Sequence, residues 1–229
     1  MKTETKNPVE LIAHTELTSD QHMFPTDMMP ILAARVSHGD DGKTGKDMEA
    51  DMRLMKYLAK HKHFSVFEHV SVTFKITAPI FVAREWMRHR TQSYNEISMR
   101  YSSDPVGKFW VPETFRKQEV RNKQGSAEDL PDDIANQAFD LMVDAYEVAL
   151  ESYNKMIELG VAREIARAVV PVGNYTEFYA TANLRNWNAF CSLRLDETAQ
   201  KEIRDYAKEI DRILGGVYPN SWRTLREFA

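Results

Sequence analysis

Residues 70–77 read Val-Ser-Val-Thr-Phe-Lys-Ile-Thr, a strict alternation with Val70, Val72, Phe74 and Ile76 on one face and Ser71, Thr73, Lys75 and Thr77 on the other. Successive side chains on a strand point to opposite faces, so the pattern predicts a half-buried strand whose apolar face must be covered by another layer. Pro79 follows, and the stretch through Met87 has helical composition with proline at its first position, so the strand feeds directly into a helix. That helix brings the chain to Arg88-His89-Arg90. From Thr91 to Arg100 nearly every position carries a hydrogen-bonding or charged group. Read as extended, this stretch puts Glu96, Ser98 and Arg100 on one face and Ile97, Met99 and Tyr101 on the other.

Guanidinium groups present a planar fork of donors suited to phosphate and carboxylate, so Arg88, Arg90 and Arg100 mark a candidate anion site. A simpler account exists for Arg-His-Arg alone: cations in the last turn complement the negative end of a helix dipole. It does not cover Asn95, Glu96, Ser98 and Arg100. The formal charge of the 229-residue chain is -4, which argues against a general nucleic-acid binder and makes any anion site local. Hydrophobic residues at 43% and charged residues at 28% are ordinary for a soluble globular protein, and the length suits one domain spanning 1–229. Cys191 is the only cysteine, so no intramolecular disulfide or Cys-rich metal site is possible. The first seven residues lack the apolar core of a secretory signal, and no apolar run approaches a membrane span. Cytoplasmic location is the simplest expectation.

Elsewhere the pattern is mostly helical. Residues 9–13 suggest an edge strand, 30–35 a short helix and 38–42 a loop. Met48, Met52, Met55 and Leu58 form an apolar stripe expected to pack in a core. A short strand is expected at Phe109-Trp110-Val111-Pro112, then a charged surface excursion over 113–133. Pro131 opens a long helix with Ile134, Ala138, Leu141, Ala145 and Val148 on one stripe, closed by Gly160. A short helix over 161–170 carries Arg163 and Arg167 and stops at Pro171. A strand over 174–182 leads to a helix over 183–194 with Trp187, Phe190 and Leu193 on its apolar side. A last amphipathic helix spans 196–214, ends at Gly215-Gly216 and leaves a short tail. His61, His63 and His69 raise a metal reading, but no Cys or carboxylate at ligand spacing completes a set.

Arg-His-Arg, seven residues, then Ser is the signature of the flavin-dependent thymidylate synthases, and Arg88-His89-Arg90 with Ser98 matches it. The chain also resembles that family at Ala33-Ala34-Arg35-Val36-Ser37, Phe67-Glu68-His69, Arg84-Glu85-Trp86 and Ser93-Tyr94-Asn95-Glu96. Further likeness lies at Arg167 before Pro171 and from Asn183 to Arg194. The resemblance implies an α+β fold, a single domain with helices packed around a mainly antiparallel sheet. It also implies a methyltransferase that makes dTMP from dUMP, with methylenetetrahydrofolate as carbon donor and FAD reduced by NADPH as hydride source.

By that resemblance His63, Ser65, Arg88, His89, Arg90, Glu96, Asn183 and Arg185 are flavin- or cofactor-side positions. Glu85, Arg88, Glu96, Ser98, Arg100, Arg167 and Arg194 are dUMP-side positions. A homotetramer with active sites shared between subunits is implied, with folate and dUMP as small-molecule partners. The reaction needs an activated uracil C5. With Cys191 read as a small buried hydrophobe and no partnered base visible, a cation that favours loss of the N3 proton takes the place of a thiolate, and Arg194 is the candidate catalytic residue. Ser98 is read as a phosphate-side donor rather than a nucleophile, since no residue at readable spacing would activate it. Where the family often has His or Asn facing the flavin, this chain has Ala189. Two other functions fit the same residues: a nucleotide-binding protein without catalysis, and a metal-dependent hydrolase built on His61, His63 and His69.

Overall fold

In the computed structural model, which describes residues 8–17, 26–37, 39 and 47–228, the alternating stretch is a strand. The strands are β1 (Val9–His14), β2 (Ser71–Pro79), β3 (Ser93–Glu96), β4 (Arg116–Gln118), β5 (Ser126–Asp129) and β6 (Tyr175–Asn183). The helices are α1 (Met29–Val36), α2 (Met48–Lys60), α3 (Ile80–Trp86), α4 (Asp132–Glu158), α5 (Arg163–Ala166), α6 (Leu184–Arg194), α7 (Lys201–Val217) and α8 (Ser221–Glu227). Four strands form one sheet in the order β1, β2, β6, β3, and β4 pairs with β5 in a separate antiparallel hairpin. The α+β class expected from the resemblance is the class observed.

The sheet's central pairs are antiparallel. Thr15 N donates to Ser71 O at 3.0 Å and Thr77 N to Pro8 O at 2.9 Å, so β1 descends as β2 rises. Likewise Leu184 N donates to Val70 O at 3.0 Å and Ile80 N to Asn174 O at 2.9 Å, which sets β6 against β2. Val70, Val72, Phe74 and Ile76 are all buried, as the alternation requires. Pro79 ends the strand and serves as N-cap, so the helix begins one residue later than its sequence suggests.

The described residues group into two compact units: residues 8, 76–88 and 94–179 in the first, and the remainder in the second. β2 and β6 each belong partly to both.

In the first unit, aromatic pairs build the core. Trp86 meets Phe178 edge to face at 5.5 Å, Phe81 meets Trp110 at 5.1 Å, and Phe109 stacks on Tyr146 at 4.5 Å. A Cβ on Gly173 would lie 2.0 Å from the Tyr146 hydroxyl oxygen, so only glycine fits there. The strand expected at 109–112 is reduced to one bridge, Phe109 with Asn174, and one further bond from Trp110 N to Gly173 O at 2.8 Å. The charged excursion folds as the β4–β5 hairpin. On α4 the expected stripe faces outward: Ile134 is 43%, Leu141 72% and Val148 64% exposed, while Tyr146 and Tyr153 are buried. Periodicity locates stripes but does not choose between them; here Tyr146 is held by stacking on Phe109 and by donating its hydroxyl to Trp110 O at 3.0 Å.

In the second unit Trp187 is fully buried, edge to face with Phe74 at 5.1 Å and Phe190 at 5.8 Å. Ile203, Ala207, Ile210 and Leu214 bury one face of α7. This helix runs through Gly215-Gly216 to Val217 instead of stopping, since Tyr218, wholly buried, closes the last turn by donating its N–H to Leu214 O at 2.8 Å. The supposed tail is α8, whose first turn is capped by the buried Asp27 carboxylate, accepting from Ser221 N at 2.9 Å, from Asn220 N and from the Ser221 hydroxyl. Burial pushes the Asp27 carboxyl above its ordinary range against these hydrogen bonds. Met55 and Leu58 of the methionine stripe are buried, but Met48 is 40% exposed, and Leu193 on α6 is likewise exposed. Of the turn expected over 38–42, only Gly39 lies among the described residues.

Candidate active site

The second unit holds a cavity of about 860 Å³ whose wall includes three positions singled out above, His63, Ser65 and Arg185. α2 ends at Lys60 with His61 as its C-cap, and the following 3-10 turn, Phe64–His69, sets Ser65 on the cavity. Arg185 arrives from the first turn of α6, where the Asn183 side chain caps the helix by accepting from Asn186 N at 3.0 Å. Asn183 therefore acts here on the helix that carries Arg185. The Arg185 guanidinium pairs with Glu68.

Two cavity residues escaped the sequence reading. Arg35 pairs with the wholly buried Asp51, and Lys62 follows α2. A signal existed for the first, because Asp51 is four residues before Met55 on the buried side of α2, and a carboxylate inside an apolar stripe requires a partner.

Arg194, at the last position of α6, donates from Nε to His89 Nε2 at 2.9 Å. Accepting at Nε2 makes the imidazole neutral with its proton on Nδ1. Burial, aided by the Arg194 charge, lowers the His89 pKa from 6.5 to about 4. The ring rests edge to face on Phe190 at 4.8 Å. Its stability contribution has the sign of a depressed histidine: present above the unfolded value of 6.5 and lost as pH falls through about 4. An NMR titration is expected to keep His89 neutral down to about pH 4; in Arg194→Ala the midpoint rises but stays below 6.5, because burial is the larger cause. A midpoint near 6.5 in the native protein would show that Arg194 and His89 do not meet this way. Arg90 sits in the exposed turn that follows, where Asn186 Nδ2 donates to Thr91 O at 3.2 Å.

The first unit carries the other positions. β3 stops at Glu96, so the face expected to unite Glu96, Ser98 and Arg100 does not form as a strand. Instead the Ser98 hydroxyl accepts from Arg100 N at 3.2 Å and Ser98 O from Tyr101 N at 3.0 Å, turning the chain. Glu96 accepts from the buried Thr176 hydroxyl at 2.7 Å. Glu164, which the sequence reading missed, contacts both Arg100 and Arg167: Arg100 Nη2 is 3.3 Å from its carboxylate, and Arg167 Nε is 3.4 Å from its carbonyl oxygen. Arg88 is exposed in the turn after α3, and Glu85 is half-buried on its last turn.

Cys191 is wholly buried, and burial pushes its thiol far above the ordinary range, which leaves no thiolate for nucleophilic work. Ala189 is exposed, whereas its neighbour Asn188 is buried and accepts from Arg226 at 3.1 Å. Among the described residues no cluster of His, Cys, Asp or Glu is suited to a metal ion, and His61 and His63 stand with ring centres 6.4 Å apart.

A cavity of this size with arginine, lysine, histidine and serine on its wall, and a separate arginine held by a neutral histidine, have the chemistry to suit an anionic ligand. The family model described as thymidylate synthase complementing protein matches residues 21–220. A flavin-dependent thymidylate synthase of Thermus thermophilus is 46% identical over 197 residues, covering 86% of this chain and 70% of that protein. That of Thermosipho africanus is 40% identical over 207 residues, 90% of this chain and 89% of its own. The UMP/dUMP methylase PolB from Streptomyces cacaoi, bound with 5-Br dUMP, aligns with a TM-score of 0.83 at 34% identity, covering 96% of this chain and 94% of that one. The chain belongs to the flavin-dependent thymidylate synthase family.

Proposed function

We propose that this protein reductively methylates dUMP to dTMP, with methylenetetrahydrofolate as carbon donor and NADPH as the source of electrons. The observation that carries the reading is the contrast between Cys191, buried and protonated, and Arg194, a cation offered at a helix end on a neutral histidine. A thiolate route to an activated uracil is closed, so activation by charge is the chemistry left to these side chains.

The described cavity suits a flavin dinucleotide. Its volume of about 860 Å³ falls inside the usual range for ligand pockets. Leu54, Leu58, Phe64 and Val66 supply apolar wall, Arg35 and Arg185, each paired with a carboxylate, supply guanidinium donors, and Lys62 supplies an ammonium for phosphate. A flavin bound there and reduced by NADPH would supply the hydride that completes the methyl group. The cofactor-side roles go to His63, Ser65, Arg88, His89, Arg90, Glu96, Asn183 and Arg185. His89 has a second task in this reading: it orients Arg194.

Arg194 stabilises the anionic pyrimidine formed when N3 loses its proton, and this raises electron density at C5. Glu85, Arg88, Glu96, Ser98, Arg100 and Arg167 bind the nucleotide, with Glu164 holding Arg100 by its carboxylate and Arg167 by its backbone carbonyl. We take the chain as one domain, supported by the two strands that run through both units. A homotetramer with shared sites fits the outward apolar residues of α4, which a second copy would cover. A cytoplasmic location is part of the same reading, and among the described residues no helix is long and apolar enough to cross a membrane.

The test is the visible spectrum of the purified protein, repeated anaerobically with NADPH, with and without dUMP, followed by an assay for dTMP. Flavin absorbance that bleaches with NADPH, and dTMP formed with methylenetetrahydrofolate, are the expected results. A colourless protein that takes up no added FAD would overturn the reading in favour of a nucleotide-binding module without catalysis.

A further inference from the structure

Lys62 is the one residue besides glycine with a left-handed backbone among the described residues, at φ 59°. It stands where α2 terminates: Lys62 N donates to Ala59 O at 3.0 Å and His63 N to Leu58 O at 2.8 Å. That pair of bonds is the helix ending in which glycine is favoured, because any Cβ crowds the carbonyl in this conformation. The left-handed backbone costs a Cβ-bearing residue more than a cation gains from the helix dipole, so helix termination on balance favours glycine over lysine here.

The cavity supplies a reason for it. Lys62 lines the wall with Arg35 and Arg185, but those guanidiniums are engaged by Asp51 and Glu68, whereas the Lys62 ammonium has no carboxylate partner among the described residues. The hydroxyl-bearing residues Ser37 and Ser65 lie on the same wall. With Arg35 and Arg185 each balanced by a carboxylate, the Lys62 ammonium is the uncompensated cation on this wall, and an ammonium on a flexible stem meets phosphate as a point charge.

We propose that Lys62 is a docking contact for a phosphate group of a dinucleotide at this cavity, kept despite its strained backbone because it tightens that binding. The inference rests on the reading of the cavity as a cofactor site. The phosphate belongs either to the pyrophosphate of FAD or to the 2′-phosphate of NADPH, which share this chemistry.

Two variants separate charge from strain. Lys62→Gly removes both, and Lys62→Met removes the charge while keeping the length and the left-handed residue. Melting temperature is measured without cofactor, FAD affinity by fluorescence titration at low salt, and anaerobic flavin bleaching with NADPH against NADH. Lys62→Gly is expected to melt about 2–4 °C above the native protein, since glycine relieves the backbone. Both variants are expected to bind one dinucleotide about 5–10-fold more weakly, a loss that shrinks as salt is added. Weaker FAD binding assigns the phosphate to the flavin; unchanged FAD binding with slower bleaching by NADPH but not NADH assigns it to the reductant. If the native protein binds FAD and both variants match it within twofold for FAD, NADPH and NADH, the role of Lys62 is overturned and the flavin reading stands. A native protein that takes up no FAD brings both down.

Discussion

Arg194→Ala is expected to fold, to take up flavin and to lose dTMP formation by roughly 10²–10³-fold, the scale on which removing one preorganised charge-stabilising donor slows an enzyme. The side chain is half-buried and ends α6, whose packing is carried by Trp187 and Phe190, so truncating it leaves the core intact. Its partner His89 then loses one donor but remains half-buried against Phe190. Measured together, anaerobic bleaching by NADPH should survive while dTMP formation fails, because reduction of the flavin does not require an anionic pyrimidine. Arg194→Lys keeps the charge and loses the planar fork, and should fall between the two. Native turnover in Arg194→Ala would remove this residue from the chemistry altogether.

The largest effect on stability is expected from Trp187→Ala. The indole is fully buried, packs edge to face on Phe74 and Phe190, and donates from Nε1 to Val72 O at 3.2 Å. Truncating a buried tryptophan costs about 3–5 kcal/mol, and at about 2–4 °C per kcal/mol for a chain of this size the melting temperature should drop by roughly 6–20 °C. Function should suffer beyond the lost folded fraction. Arg185 and Arg194 stand on the two ends of α6, and Trp187 is the anchor that fixes this helix on the strand beneath. Trp187→Phe, which keeps an aromatic ring but no donor, should lose less. A melting temperature within about 2 °C of native for Trp187→Ala, less than 1 kcal/mol on the same scale, would mean that α6 is anchored by other contacts.

The fold was legible wherever one pattern had one physical solution. The alternation from Val70 to Ile76 can only be a half-buried strand, and all four apolar members are buried. Asn183 before an apolar-periodic run is a helix start, and its side chain caps α6. The reading failed where a pattern had several solutions. α4 carries an aliphatic stripe and an aromatic one, and the contest was decided by what faces it, Phe109 and Trp110. Gly215-Gly216 permits a helix to end but does not require it, and the buried Tyr218 carried α7 past that point.

By itself, then, the sequence determined the strand-to-helix unit that presents Arg88-His89-Arg90 and the α6 helix that carries Arg185 and Arg194. Each depends on neighbours within a few residues, where period, capping and composition decide the outcome. Tertiary structure alone decided that Arg194 rests on His89, that Glu164 contacts both Arg100 and Arg167, that Asp51 is buried beneath Arg35, and that Lys62 lines a cavity with a strained backbone. Most of these pairs lie far apart along the chain. Their energies come from burial and geometry created only when the helices close on the sheet, and no local pattern encodes them.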